Sequence, residues 1–345
     1  MNTAAALLDD ALEPLAEYLA DPAIEDVAIN EPGSAWLRGP DGWTRVEVPD
    51  LDFETLEGCA ILCGSLRKQD VGRTVPMVGG ELHTGHRFQW VVPPAVPTGT
   101  VCGVFRRPSD RISPLDDVPS RYDTTRWNRW QDRGAARRQD SDELLGLYDS
   151  GDVVAWLRAM VRRRRTVVLL GATGAGKTFL SKTMLADADR RLRIVTIEDA
   201  LEMTLVHPNC VRLLFSAGGE SGVTPRECHH VAMRLRPDLI PVQELRDPDA
   251  TWVYVNEVTL AHPGSPTTTH GETAPEGARR VFGLLKGSPQ GASIGDDVLL
   301  GMMGTGIDAF VPISTDGSAR RLGEVWFADD AARRGETIAD LLRTA

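Results

Sequence analysis

The sequence predicts an α/β protein in two parts, an N-terminal α+β domain joined by a linker to a domain of alternating strands and helices. Three observations carry this. Residues 1–115 mix helical spacing with short alternating stretches and turn signals. Over 116–150 the hydrophobic periodicity weakens and arginines interleave with aspartates. From 151 to 345, apolar runs of strand length alternate with helical patterns around one glycine-rich stretch, residues 171–178.

Composition bounds the reading. A chain of 345 residues with 42% hydrophobic side chains has material for about two folded domains. Its 38 basic and 49 acidic residues give a net charge of −11, which argues against broad binding to nucleic acid or anionic lipid. No sequence-specific nucleic-acid contact is expected. The start lacks a basic segment followed by an apolar run, and no stretch of about 18 apolar residues occurs. A cytoplasmic protein is therefore expected, with peripheral membrane attachment left open. Cys59, Cys63, Cys102, Cys210 and Cys228 are too scattered for a disulfide scaffold or a zinc site. Cys59 and Cys63, four apart on an expected helix, read as packing residues.

In chain order, Leu7, Leu8, Leu12, Leu15 and Leu19 predict one amphipathic helix over 5–20, ended by Asp21-Pro22 and packed on a sheet. Val27 to Val48 reads as antiparallel strands with turns at Pro32-Gly33 and at residues 39–42. A helix over 53–68 follows, then a strand pair around Thr84-Gly85 and another strand over 100–107. In the linker, Arg121, Arg126, Arg129, Arg133, Arg137 and Arg138 surround Trp127 and Trp130. These indoles either meet a membrane or a neighbouring subunit, or pack back on their own chain. Arg162 to Arg165 reads as a solvated helix end. Beyond it, strands are expected at 166–170, 193–197, 211–215, 239–245 and 321–327. Helices are expected at 179–185, 224–235, 248–262 and 275–286, with one more at the C-terminus.

The stretch Gly171-Ala172-Thr173-Gly174-Ala175-Gly176-Lys177-Thr178 fits the spacing G-x-x-x-x-G-K-[ST]. Its glycines let backbone N–H groups turn inward around phosphates, Lys177 reaches the β- and γ-phosphates, and the Thr178 hydroxyl ligates Mg²⁺. A strand before and a helix after supply the context such a loop needs. Cleaving a terminal phosphate also requires carboxylates for metal and water. Two groups stand at expected strand ends, Glu198-Asp199-Ala200-Leu201-Glu202 after Ile197, and Glu244 after the apolar run from Leu239. A third group, from His262-Pro263-Gly264-Ser265 to Thr268-Thr269-His270, carries His270. Taken alone, His270 reads as a structural histidine.

Together these groups resemble the ordered motifs of the secretion traffic ATPases, the hexameric motors of type II and type IV secretion systems and type IV pili. Residues 87–96 and Phe105-Arg106-Arg107-Pro108-Ser109 look like the N-terminal domain of the Vir-type conjugation branch. The tetracysteine zinc module of the type II relatives is absent, which favours that branch. The resemblance implies a RecA-like P-loop ATPase domain using ATP and Mg²⁺, assembled as a homohexameric ring that powers secretion, conjugative transfer or pilus assembly at the inner membrane. Partners would be other secretion-system ATPases and inner-membrane components.

It further implies that the loop, from Gly171 to Thr178 with Phe179 after it, holds nucleotide and that Thr178 and Glu244 hold metal. Lys177, Glu198, Glu244 and His270 would serve the chemistry, while Arg87, Arg106 and Arg107 close over the nucleotide. Three departures stand out: Phe179 where a second hydroxyl is usual, Gly271 after the histidine, and Gln243 for the usual glycine. Gln243 bears on the catalytic rate more than on the fold, since a bulky amide beside Glu244 could crowd the attacking water. Other readings are a nucleotide-gated assembly module with little hydrolysis, a tight-adherence or type IV pilus assembly ATPase, and a P-loop kinase.

Overall fold

The computed structural model describes residues 3–108, 114–122, 141–216, 222–317 and 319–344. The expected first helix is broken into α1 (Thr3–Ala11), a 3-10 turn (Glu13–Leu15) and α2 (Ala16–Ala20). Pro14 is the cause, since it offers no N–H to the ladder and its ring collides with the carbonyl four residues back. Leu8, Leu12 and Leu15 are still buried, while Leu7 faces solvent.

Six strands follow: β1 (Asp26–Ile29), β2 (Ser34–Gly39), β3 (Gly42–Glu47), then, after α3 (Phe53–Leu66), β4 (Met77–Glu81), β5 (Arg87–Val91) and β6 (Cys102–Arg106). They form one antiparallel sheet in the order β3-β2-β1-β6-β5-β4. Strand alternation divides its faces. Val27, Ile29, Phe88, Trp90 and Phe105 pack under α1 and α3, where Cys59 and Cys63 lie fully buried as expected. Burial pushes both thiols up to about 12, so they remain protonated packing groups. Ala28, Val91 and Val104 face the other way and join the core of the second half.

Short helix α4 (Val118–Arg121) lies in the expected linker, whose residues Arg126 to Arg138, with Trp127 and Trp130, fall outside the described residues. Helix α5 (Ser141–Ser150), also within that stretch, is packed rather than linking. Its Leu144 and Leu145 bury against Trp156 of α6 (Val153–Arg162) and against Phe327. The arginine run after α6 is only partly a solvated end. Arg162 and Arg163 pair with Glu143 at the surface, but Arg165 is buried between Asp308 and Asp329, 2.9 Å from each. A guanidinium tolerates that depth because two carboxylates meet it.

The second half contains β7 (Val167–Leu170), α7 (Lys177–Ala186), β8 (Ile194–Glu198), β9 (Cys210–Leu214) and α8 (Pro225–Arg234). Then α9 (Pro248–Val253) runs through a π-helical stretch (Tyr254–Val258) into α10 (Thr259–Ala261), followed by β10 (Thr267–Thr269), α11 (Ala274–Gly287) and α12 (Asp296–Gly306). Strand β11 (Ala309–Asp316), β12 (Ala319–Leu322), β13 (Trp326–Phe327), α13 (Ala328–Arg333) and α14 (Ile338–Arg343) complete it. The late strand expected at 321–327 is thus two strands, each pairing antiparallel with β11. The C-terminal helix is likewise two, parted at Gly335, whose φ of +75° no helix can hold.

The run 239–245 is extended but makes only isolated bridges, to Ile194 and Ile197 on one side and to Thr267 on the other. Pro241 interrupts its ladder by removing a donor. Even so, it joins β9-β8 to β10-β7-β11 in one mostly parallel layer.

The two halves share a core. Trp36, Val91, Cys102 and Val104 cluster with Val211, Leu213 and Val231. Arg193, fully buried at this seam, donates to Leu235 O (2.8 Å), Asn30 Oδ1 (2.7 Å) and Asn209 Oδ1, with its guanidinium 5.3 Å from the Trp43 ring centre. Among the described residues, no helix is long and apolar enough to cross a membrane.

Candidate nucleotide site

The glycine-rich loop leaves β7 at the C-terminal edge of the sheet and enters α7. Two of its glycines are required by geometry. At Gly171 (φ +150°) an added Cβ would lie 2.4 Å from the Ile313 carbonyl oxygen, and Gly176 (φ +98°) caps α7 in a left-handed conformation. Ala175 is buried, whereas Ala172, Thr173 and Gly174 are open to solvent. Lys177 lies largely buried at the base of the loop, where its Nζ donates to Gly171 O (2.7 Å) and Ala172 O (3.1 Å). Burial lowers its pKa, and the Glu244 carboxylate opposes that shift. The half-buried Thr178 hydroxyl makes no hydrogen bond among the described residues. Phe179 is turned outward and 63% exposed.

Next to the loop, β10 runs parallel to β7 and delivers His270 just past its end. Its hydroxyls fasten the segment that carries Glu244: Thr268 donates to Gln243 O (2.8 Å) and Thr269 to Leu245 O (3.0 Å). His270 Nε2 lies 2.9 Å from Glu244 Oε1, and Arg246 Nε lies 3.1 Å from Oε2. The His270 contact lies off the hydrogen-bonding direction, so among the described residues Oε1 is buried without a hydrogen-bond partner. Such an atom is costly unless a ligand or water meets it.

Glu198 is also present, but not as a free carboxylate. It is fully buried and accepts five hydrogen bonds, from Thr196 Oγ1, the Glu202 and Met203 amides, and Arg212 Nε and Nη2. With its lone pairs taken it has no room for a water. In this arrangement Glu198 holds the acidic turn 199–203 through its bonds to the Glu202 and Met203 amides.

Gln243 also differs from expectation. Neighbouring residues of an extended segment point to opposite sides, so its amide turns away from Glu244. Its Oε1 accepts from the Asp199 amide (3.0 Å) and its Nε2 donates to Glu202 (3.0 Å), clamping the acidic turn instead of crowding a water. Arg246 bridges the two acidic groups, from Glu244 to Asp199 at 2.7 Å.

The three N-terminal arginines do not reach this chain's own loop. Arg107 is committed to the backbone carbonyls of Leu19, Asp21 and Ile24. Arg106 lies 4.0 Å from Asp26, which also binds Arg236 (3.1 Å). Arg236 precedes Asp238, whose amide bonds Arg193 O at the start of β8, so Arg106 sits at the strand ends opposite the loop. Arg87 is its cross-strand neighbour, exposed and without an ion pair among the described residues. Sequence reading overlooked Arg212, Gln243 as a clamp, and Arg246. The signal for Arg212 was its place on β9 between buried Val211 and Leu213, facing the strand that ends at Glu198.

A phosphate loop at the C-terminal edge of a mostly parallel sheet, with a poised carboxylate on the adjacent segment, defines a RecA-like P-loop ATPase. Similarity to known proteins narrows the class. Residues 135–288 match the family described as Type II/IV secretion system protein. The chain is 45% identical over 333 residues to Protein VirB11 of Rhizobium radiobacter, covering 96% of each, and 31% identical over 336 residues to the type IV secretion system protein VirB11 of Bartonella quintana, covering 94% of each. The crystal structure of the VirB11 ATPase of Brucella suis, a complex with sulphate, superposes with a TM-score of 0.88 at 29% identity, covering 96% of this chain and 97% of that one. The chain belongs to the VirB11 family of type IV secretion system ATPases.

Proposed function

We propose that this ATPase binds ATP with Mg²⁺ and cleaves the terminal phosphate with Glu244 as the residue that orients water. Glu244 carries the reading: its carboxylate lies within 3.1 Å of both His270 and Arg246, and its buried Oε1 has no hydrogen-bond donor among the described residues. Gly174, Gly176 and Lys177 would hold the phosphates, His270 would sense the terminal one, and Gln243 and Glu198 would keep the acidic turn in place. The Thr178 hydroxyl and the Glu244 carboxylate fit a Mg²⁺ ion, which takes few protein ligands alongside phosphate oxygens. When bound, the ion would neutralise developing charge on those oxygens.

The reading extends to a homohexameric ring working at the cytoplasmic face of the inner membrane. In a ring each subunit presents one side to the opposite side of the next. Arg87 and Arg106, remote from their own loop, are then placed to serve a neighbour's. Turnover of ATP by Glu244→Gln tests the site. Nucleotide binding should persist while turnover falls by about 10² to 10⁴; undiminished turnover would remove Glu244 from its role. Analytical ultracentrifugation with a non-hydrolysable ATP analogue tests the ring, which a monomer at all concentrations would exclude.

A further inference from the structure

The hairpin of β11 and β12 stands over the phosphate loop. Pro312 is in register with Leu170, the last residue of β7, so β11 outruns its neighbour from Ile313 onward. The first loop glycine packs directly on that overhang, as the Ile313 contact shows. The chain then turns through Gly317 (φ +61°) and returns as β12.

Two consecutive arginines on β12 meet different fates. Arg321 pairs with Asp316 at 2.9 Å on one face of the hairpin. Arg320, opposite Thr315, points to the other face, towards the loop. A Cβ placed on Gly176 would lie 3.0 Å from both Cδ and Nε of Arg320 and 3.3 Å from Cζ. The guanidinium therefore rests against the residue that caps α7, where loop amides gather a phosphate's charge. It is exposed and has neither an ion pair nor a hydrogen bond among the described residues.

An unpaired, planar, permanently charged donor beside a phosphate cradle is suited to a diphosphate. We infer that Arg320 is a nucleotide-contact residue, a clamp in the same chain that closes on the diphosphate of ADP or ATP from above the loop. This rests on the P-loop being the nucleotide site. The clamp contacts bound substrate and product alike, so it acts on affinity: KM rises on its loss and kcat changes little.

The test is ADP affinity by isothermal titration calorimetry, with KM and kcat for ATP, on Arg320→Ala, Arg320→Lys, Arg321→Ala and Lys177→Ala. Arg320→Ala should weaken ADP binding about tenfold and flatten its salt dependence. Arg320→Lys should recover part of the loss, and Arg321→Ala should bind as the wild type does. Equal weakening by Arg320→Ala and Arg321→Ala would mean a general effect on the hairpin and overturn the proposal. So would wild-type affinity in Arg320→Ala while Lys177→Ala has lost ADP, an outcome that leaves the P-loop site standing. If Lys177→Ala itself keeps ADP, the site reading fails first and the clamp with it.

Discussion

Replacing Glu198 by glutamine separates a brace from a catalytic base. In the wild type, Oε1 accepts from Thr196 and Arg212 Nε, and Oε2 accepts from two backbone amides and Arg212 Nη2. An amide fits this cage best with its oxygen towards the three donors at Oε2 and its NH₂ in place of Oε1. The Thr196 hydroxyl can rotate to accept, but Arg212 Nε then faces another donor. Arg212 loses its ionic partner while only 22% exposed. Hydrogen bonds to charged groups contribute about 1.5–3 kcal/mol each. Losing one and reducing a second to a neutral contact costs about 3 kcal/mol. For a chain of 345 residues that lowers the thermal midpoint by roughly 4 °C. Turnover assayed well below that midpoint should fall about tenfold or less, because the general-base contribution, about 10² to 10⁴, is not being removed. Scanning calorimetry and steady-state ATPase assays read both numbers. A Glu198→Gln protein with the wild-type midpoint and no turnover would refute the reasoning and restore Glu198 to the chemistry.

Other outcomes follow from neighbouring contacts. Lys177→Ala should abolish nucleotide binding with little change in fold, because among the described residues Nζ bonds just two loop carbonyls; circular dichroism and ADP titration check this. Gln243→Gly, which installs the usual family residue, should not raise turnover; it should lower it together with the thermal midpoint, since the acidic turn loses both of its amide clamps. Gly277→Ala should destabilise by about 1–3 kcal/mol, because its Cβ would fall 2.3 Å from Leu170 in the strand feeding the loop. Burial holds His229 at about 4, well below its usual 6.5, while its Nδ1 bonds Pro225 O. The unfolded chain therefore binds the proton more readily between those values, so stability rises with pH from about 4 to 6.5 and is flat above. His229→Gln should flatten that slope in thermal midpoints measured from pH 4 to 7.

Features set by local spacing were legible before any coordinates. The P-loop, its strand and helix, and His270 after a hydroxyl-rich strand all appear where the pattern puts them, and Glu244 lies in the expected apolar run, though that run pairs only through isolated bridges. Less legible was whatever depends on which strands become neighbours. Glu198 looks free as the end of an apolar run, and only the pairing of β8 with β9 brings Arg212 to saturate it. Gln243 looks obstructive beside Glu244 because sequence adjacency hides the alternation that sends the two side chains apart. Arg165 looked solvated within a basic run, since Asp308 and Asp329 lie more than 140 residues away. Pro14 and Pro241 were visible, but helical leucine spacing and an apolar run outweighed them in the reading.

The seam at Arg193 sets the terms on which the protein can be divided. A C-terminal half produced alone would keep the Arg193 bonds to Leu235 O and Asn209 but lose Asn30 and Trp43, leaving a partly uncovered guanidinium beside an apolar patch that includes Val211 and Leu213. Such a patch invites self-association, so an apparently minimal catalytic fragment should precipitate or form non-native oligomers rather than report intrinsic turnover.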